Sequence, residues 1–189
     1  MAHIFDPRHL QRLEAPERFQ WQDPEKTADL LSLKGDERVV DFGCGTGFFS
    51  VPIARRLSTG ELAAVDISQE MLDYLKKKIG GEKLPVRLIK IDGKTPLPDG
   101  WADRILLANI LHELVDQPEA LIEVDRLLGV EGRLIVIDWL PSDRPVGPPP
   151  DDCLSPDHAV NLLDRFDLKL VEKSEDFIYH FALVFGRKK

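Results

Sequence analysis

A glycine-rich loop between a strand pattern and a helix pattern constrains the fold of this chain more than any other feature. Residues 39–50 have the sequence VVDFGCGTGFFS, in which residues 39–42 suit a buried strand and residues 46–58 follow a helical pattern. Glycine permits positive φ and the close approach of a ligand, and the start of a helix offers free N–H groups. The loop therefore predicts a ligand site at the carboxyl edge of an α/β sheet. Its glycines are Gly43, Gly45 and Gly47.

Strand and helix patterns alternate along most of the chain. The predicted strands occupy residues 39–42, 62–65, 86–91, 105–108 and 134–137. The predicted helices that follow the first strand occupy residues 46–58, 69–79, 117–128 and 156–166. This alternation predicts right-handed crossovers and a parallel sheet that is covered on both faces. The last two strand patterns, 168–173 and 177–185, are joined by a link too short for a crossover, so we expect an antiparallel hairpin.

An amphipathic helical pattern precedes the first strand, over residues 7–34. Within it, Asp23-Pro24-Glu25 is typical of a helix start, and we expect this helix to end near Leu33. Ser68 and Ser155 are predicted to cap two later helices. The length of 189 residues favours a single domain, residues 1–189, with residues 1–34 as an N-terminal helical cover.

The charge balance and the cysteine content exclude several classes of protein. Lys and Arg number 25 against 33 Asp and Glu, a net charge of −8, which argues against nucleic acid or an anionic membrane surface as partner. The two cysteines form neither a CxxC pair nor a disulfide framework. No apolar run approaches the ~20 residues of a membrane span, and the N-terminus lacks a signal-peptide pattern. We therefore expect a cytoplasmic protein.

The spacing of the glycines argues against two common nucleotide-binding loops. A dinucleotide loop needs G-x-G-x-x-G, but Phe48 and Ser50 occupy the third glycine position in the two frames available. The Gly-Lys-Ser/Thr of a Walker loop is absent from residues 39–50. The observed pattern is Asp-x-Gly-x-Gly-x-Gly, and Asp41 at its start would repel a pyrophosphate. A carboxylate there suits the ammonium group of a ligand instead.

The string Asp41-Phe42-Gly43-Cys44-Gly45-Thr46-Gly47 resembles the first motif of class I S-adenosylmethionine-dependent methyltransferases. Residues 102–114, ADRILLANILHEL, are similar to the fourth-strand region of the members that act on small molecules. The resemblance runs in order from about residue 37 to residue 139. It implies an α/β Rossmann-like three-layer sandwich with a seven-stranded, mostly parallel sheet, order 3-2-1-4-5-7-6, and an antiparallel last strand. It also implies S-adenosylmethionine as cofactor and S-adenosylhomocysteine as product.

The resemblance also implies roles for side chains at successive strand ends. Asp66 would bind both ribose hydroxyls, Asp92 would meet the adenine amino group, and Asn109 would lie beside the methionine part. The implied cofactor-binding set is Asp41, Phe42, Gly43, Cys44, Gly45, Thr46, Gly47, Asp66, Ile67, Met71, Asp92, Gly93 and Asn109. Simpler roles stay open, since Asp41 and Asp92 suit turns, Asp66 suits a helix cap and Cys44 suits packing.

The acceptor of the methyl group is expected at the same edge of the sheet. His112 follows the fourth strand and is the candidate general base for direct displacement. Tyr179 and His180 begin the antiparallel last strand, so they approach that edge and are further catalytic candidates. Both histidines have an alternative role as partners of nearby backbone groups. Asp138, Trp139, the Pro-rich segment 141–150 and an N-terminal piece with His3, Phe5 and Trp21 are expected around the opening.

Missing motifs narrow the acceptor class. Asn109-Ile110-Leu111-His112 lacks the prolines typical of DNA amino-methyltransferases, and no Pro-Cys nucleophile follows the fourth strand. Asp138-Trp139 replaces the Asp-Asn pair of catechol-type magnesium sites, so no metal is expected. These observations favour a small-molecule methyltransferase of the ubiquinone-biosynthesis-like group. The alternatives are a cofactor-binding module without activity and an RNA or protein methyltransferase, and a homodimer is left open.

Overall fold

The computed structural model describes residues 13–114 and 118–188. The expected positions of His3 and Phe5, and the first part of the predicted helix over residues 7–34, lie outside these ranges. No helix within them is long and apolar enough to cross a bilayer. The longest, Gln69–Ile79, has 11 residues.

Seven strands form one sheet in the order β3-β2-β1-β4-β5-β7-β6. The strands are β1 (Arg38–Phe42), β2 (Glu61–Asp66), β3 (Val86–Lys90), β4 (Ala102–Ala108), β5 (Leu128–Trp139), β6 (Leu168–Ser174) and β7 (His180–Arg187). The first five strands pair in parallel, whereas β7 runs antiparallel to both β5 and β6. The predicted strand order and the antiparallel last strand are therefore confirmed.

Short helices connect and cover the strands. They are α1 (Arg18–Trp21), α2 (Pro24–Leu30), α3 (Ser50–Arg55), α4 (Gln69–Ile79), α5 (Leu111–Leu114), α6 (Pro118–Leu127) and α7 (Pro156–Asp164), with a 3₁₀ turn at Pro150–Asp152. The three predicted caps are confirmed, because Asp23, Ser68 and Ser155 each accept a hydrogen bond from a backbone N–H of the first helical turn.

The two faces of the sheet carry separate apolar layers. Val39, Leu106 and Ile135 pack with buried residues of α2 and α3. Their neighbours Val40, Ile105 and Leu134 face the other way and pack with α6 and α7. Buried side chains thus point to alternate faces along each strand, as a parallel sheet covered on both sides requires. This arrangement is the predicted three-layer sandwich.

Several predicted boundaries are wrong, and local backbone geometry gives the reason. The helix predicted from residue 46 begins at Ser50, because the positive φ of Gly47 (+77°) keeps the loop out of the helix. The helix predicted to reach Leu33 ends at Leu30, and Ser32 has a φ of +49°. Pro24 separates α1 from α2, because the residue before a proline avoids the helical region. The last strand begins at His180 rather than at residue 177.

Candidate cofactor and acceptor site

The glycine loop is fixed to the second strand by its own backbone. Gly43 N and Cys44 N both donate hydrogen bonds to Val65 O, at 2.8 and 3.0 Å. All three loop glycines have positive φ, from +51° to +77°. A Cβ on Gly43 would lie 2.1 Å from Ile110 Cδ1, so a larger residue there would strain the backbone and displace the end of the Ile110 side chain.

Gly45 differs from the other loop glycines because it has room beside it. A Cβ built on Gly45 would meet Leu13 Cδ1 at 3.9 Å, an ordinary contact, whereas one on Gly47 would lie 2.2 Å from Leu75 Cδ1. A glycine that packing does not require leaves the backbone accessible to a ligand. The loop therefore has the open cradle that a cofactor against its backbone needs.

Asp66 ends β2 with its carboxylate turned towards this loop. Its Oδ2 accepts a hydrogen bond from Gly45 N, and its Oδ1 accepts one from Ser68 N, both at 2.8 Å. Burial raises the pKa of Asp66 against the lowering effect of these backbone donors. A carboxylate has about four acceptor sites, so both oxygens retain capacity for the two hydroxyls of a ribose. The acceptor oxygens of Asp66 therefore fit the hydroxyl donors of the ribose of S-adenosylmethionine.

Asp41 lies beneath the loop and is almost completely buried, at 1% exposure. Its Oδ2 accepts a hydrogen bond of 2.5 Å from Ser50 Oγ. Burial, with a smaller contribution from the charge of Asp66, raises the pKa of Asp41 to about 6. Such a buried carboxylate favours a cationic ligand group. Burial also raises the pKa of the Cys44 thiol, which keeps it neutral beside these carboxylates.

The remaining predicted cofactor residues lie at the ends of neighbouring strands. Asn109 follows β4, and its backbone N–H donates to Ile137 O at 2.7 Å. Asp92 follows β3 and is exposed, as is Ile67 at 54%, whereas Met71 is buried at 4% in α4. Because β3, β2, β1 and β4 are adjacent, Asp92, Asp66, Asp41 and Asn109 share one edge of the sheet.

His112 forms a hydrogen-bonded pair with the buried Asp138 at the same edge. Its Nδ1 lies 2.7 Å from Asp138 Oδ1, and its backbone N–H donates to Asp138 Oδ2 at 2.9 Å. An ionised carboxylate accepts only, so the Nδ1 proton of His112 points at Asp138 and Nε2 keeps its lone pair. Burial lowers the pKa of His112, but the hydrogen bond and charge of Asp138 outweigh it, and the net shift is upward. The side chain of His112 therefore pairs with a carboxylate that lies 26 residues away in the sequence, and not with neighbouring backbone groups.

Glu113 adds a second acidic group beside this pair. Its Oε1 lies 3.9 Å from His112 Nε2. Burial raises the pKa of Glu113 to about 7, and the charge of Asp138 adds to the rise while His112 opposes it. The pKa values of His112 and Glu113, two neighbouring side chains of this cluster, are therefore both raised.

Aromatic rings surround His180 at the start of β7. The His180 ring lies 4.0 Å from the Trp139 centroid and 5.6 Å from the Trp21 centroid, stacked at 11° on the latter. Tyr179 lies 6.4 Å from Trp21. His180 is 2% exposed, and neither ring nitrogen has a hydrogen-bond partner within residues 13–114 and 118–188. Burial, followed by the charges of Arg18 and Arg144, lowers the pKa of His180 to about 3, so its ring is neutral.

Sequence reasoning missed the residues that an N-terminal segment brings to the site. We call residues Leu13–Gln22, which include α1, the N-terminal strap. Gln22 Nε2 donates to Asn109 Oδ1 at 3.0 Å, and Asn109 Nδ2 donates back to Gln22 Oε1 at 2.8 Å. Arg18 donates to the same Gln22 oxygen from Nε and Nη2, at 3.2 and 3.1 Å. The spacing of four residues, which places Arg18 and Gln22 on one helix face, was the available signal.

Comparisons with known proteins agree with this geometry. A family profile described as a methyltransferase domain matches residues 40–136. A solved S-adenosylmethionine-dependent methyltransferase from Aquifex aeolicus is 30% identical, with a TM-score of 0.89 over 96% of this chain and 98% of that one. The chain therefore belongs to the class I S-adenosylmethionine-dependent methyltransferases, and S-adenosylmethionine is its cofactor.

Two further relatives define the group within that class. A demethylmenaquinone methyltransferase from Thermus thermophilus is 30% identical over 127 residues, which cover 67% of this chain and 57% of the relative. A ubiquinone/menaquinone biosynthesis C-methyltransferase from Bordetella avium is 31% identical over 156 residues, 81% of this chain and 59% of the relative. The chain thus spans a little over half the length of these two relatives. It is a methyltransferase of the ubiquinone-biosynthesis-like group.

Proposed function

We propose that this protein transfers the cofactor's methyl group to a small-molecule acceptor by direct displacement, with His112 as general base. The observation that carries the proposal is the His112–Asp138 pair, at 2.7 Å, on the sheet edge that holds the glycine loop. A histidine with one nitrogen engaged by a carboxylate can use the lone pair of the other nitrogen as a general base.

The carboxylates at the ends of β1, β2 and β3 are assigned to the cofactor. Asp66 binds the ribose diol, Asp92 meets the adenine amino group, and Asp41 faces the ammonium end through the loop. When bound, S-adenosylmethionine supplies an electrophilic sulfonium methyl group whose displacement leaves a neutral thioether. The protein therefore has no departing anion to stabilise, and its residues serve to align the acceptor and exclude water.

The proton of the acceptor goes to His112 in this proposal. Nε2 takes a proton from the acceptor. At the same time, an electron pair of the attacking atom of the acceptor forms the bond to the methyl carbon. Asp138 holds the Nδ1 proton and stabilises the imidazolium that results. The raised pKa of His112 makes its neutral form a stronger base, at the cost of a smaller neutral fraction at low pH.

The aromatic residues around His180 are assigned to the acceptor. Trp139 and Tyr179 offer flat apolar surfaces, and the neutral His180 ring offers one donor and one acceptor. The charges of Arg18 and Arg144 act on His180, which disfavours a cationic acceptor there. A planar, neutral or anionic acceptor fits best. The names of the relatives from Thermus thermophilus and Bordetella avium make demethylmenaquinol-type quinols the first compounds to test.

Calorimetric titration followed by a methyl-transfer assay tests this function. We expect S-adenosylmethionine and S-adenosylhomocysteine to bind, and mass spectrometry to find a methylated product among quinols, phenols, small amines and thiols. His112→Gln should bind the cofactor as the wild type does but transfer about a thousandfold more slowly. His158→Gln changes an exposed histidine of α7 and is the matched control.

Two results would contradict the proposal. One is cofactor binding by the wild type without transfer to any compound of the panel, which favours a binding module. The other is a full transfer rate in His112→Gln, which removes His112 as the base. Methylation of RNA or protein in place of every small molecule would instead favour the macromolecular alternative.

A further inference from the structure

Arg18 is a buried cation whose hydrogen-bond partners in the described part of the chain are all neutral. Its exposure is 6%, although it lies on a short helix near the N-terminus. Nε and Nη2 donate to the Gln22 side-chain oxygen, and Nη1 donates to Leu13 O at 3.0 Å. No carboxylate within residues 13–114 and 118–188 lies within 4.0 Å of its guanidinium, and these bonds use three of its five N–H groups.

Three cations at the ends of α3 and α4 are satisfied differently. Arg56 pairs with Glu25 and Asp29 at 2.6 Å, Arg55 pairs with Glu82 at 2.6 Å, and Lys78 pairs with Glu14 of the strap at 2.8 Å. These residues are all more exposed than Arg18 and need a partner less. Burial lowers the pKa of Arg18 to about 10, against the weaker, opposite effects of Glu14 and Asp41. A buried charge without a counterion is costly, so the arrangement points to an anionic ligand.

The position of Arg18 shows where that ligand would lie. Its guanidinium carbon is 4.0 Å from the ring centroid of Phe48 and 5.2 Å from that of Phe49, the two residues that follow Gly47. The charge of Asp41 reaches it as well. The strap thus places a positive group beside the loop that holds a buried negative group. The amino-acid end of S-adenosylmethionine carries an ammonium and a carboxylate on one carbon, and this pair of charges matches it.

We propose that Arg18 binds the α-carboxylate of S-adenosylmethionine, which makes the N-terminal strap part of the cofactor site. The inference rests on the cofactor position proposed above. The planar fork of a guanidinium suits a carboxylate, which it can hold with two parallel hydrogen bonds. The two N–H groups of Arg18 without a partner in the described residues supply the donors.

Cofactor binding by Arg18 also affects the residues that are assigned to the acceptor. Arg18 donates to the side chain of Gln22, which in turn pairs with Asn109. Trp21, which precedes Gln22 in the sequence, stacks on His180. A cofactor that fixes Arg18 therefore fixes the aromatic surface against which the acceptor packs. The cofactor is expected to bind first and the acceptor second.

Calorimetric titration with S-adenosylmethionine and its decarboxylated analogue tests the assignment. The two ligands differ only in the carboxylate, so the ratio of their affinities isolates its contact. The wild type should prefer S-adenosylmethionine by about 30-fold, and Arg18→Gln should bind both ligands as weakly as the wild type binds the analogue. Arg56→Gln removes a cation that pairs with α2 and should keep the wild-type preference.

A measurement on the wild type avoids dependence on the folding of the variant. Trypsin cleaves after an accessible arginine, so the bond between Arg18 and Phe19 reports the state of the strap. S-adenosylmethionine should slow this cleavage at least tenfold more than the analogue does when both are saturating.

Three results would overturn the role of Arg18. They are equal affinity of the wild type for both ligands, an unchanged preference in Arg18→Gln, and equal protection of the bond by both ligands. Failure of the wild type to bind either ligand would instead contradict the proposed function as a whole. The two failures are therefore distinguishable.

Discussion

The cofactor half and the acceptor half of this sheet edge are built in different ways. The cofactor half consists of the glycine loop and Asp66, and backbone N–H groups close by in space hold it together, such as Gly45 N on Asp66. The acceptor half consists of α5, the end of β5 and the start of β7. Side chains far apart in the sequence connect it and the strap to the rest of the edge, such as Gln22 to Asn109, 87 residues apart. Local backbone geometry thus fixes the one half, and long-range side-chain packing fixes the other. Substitutions should separate the two halves.

Asp66→Ala should have the largest effect on the cofactor half. It removes the predicted contact with the ribose diol and also frees Gly45 N, so the affinity for S-adenosylhomocysteine should fall by about 100-fold, or about 2.7 kcal/mol. Calorimetric titration measures this directly. His112→Gln is the control from the acceptor half and should leave the affinity within about twofold of the wild type. An unchanged affinity in Asp66→Ala would contradict the assignment of Asp66 to the ribose.

This comparison also explains how much was predictable from the sequence. The family resemblance that the glycine loop carries implied the strand order, and the structure confirms it. The resemblance implied roles for Asp41, Asp66, Asp92 and Asn109, which lie at or just after the ends of successive strands, and parallel strands end at one edge. Position along the chain is sufficient for such residues, since the sheet itself brings them together.

The strap and the acceptor half needed information that position along the chain does not contain. Arg18 and Gln22 lie before the first strand, and only tertiary packing brings them to Phe48 and Asn109. Asp138 was expected near the opening, but its bond to His112 depends on how α5 packs against β5. The boundaries of α2 and α3 were wrong because single residues with positive φ, Ser32 and Gly47, end the helical geometry there.

Asp138→Asn should change the pH dependence of the reaction. The base must be neutral, so the rate of the wild type should rise with pH through the raised pKa of His112. Without the negative charge, the pKa of His112 falls and the acid limb moves to lower pH. The maximal rate should fall about tenfold, because an amide no longer fixes the proton on Nδ1.

The pH–rate profile of the two proteins measures both effects. Asp164→Asn, which changes an exposed carboxylate at the end of α7, is the control and should follow the wild-type profile. An acid limb that stays in place in Asp138→Asn would show that another group titrates. Glu113 would not explain that result, because the loss of the Asp138 charge lowers its pKa in the same direction.

His180→Phe should have the smallest effect and should separate stability from function in the acceptor half. The wild type buries two ring nitrogens without partners in the described residues, so a phenyl ring that keeps the stacking should stabilise the fold by about 1 kcal/mol.

The pKa of His180 is lowered to about 3, so the folded wild type resists a proton that the unfolded chain accepts near pH 6.5. Wild-type stability should therefore fall as the pH decreases from 6.5 towards 3, and the advantage of His180→Phe should grow. Thermal unfolding at pH 7 and pH 5 measures this, while a rise of several-fold in the acceptor KM is expected if His180 contacts the acceptor. A variant that is more stable but has an unchanged KM would leave Trp139 and Tyr179 as the acceptor contacts and remove His180 from that role.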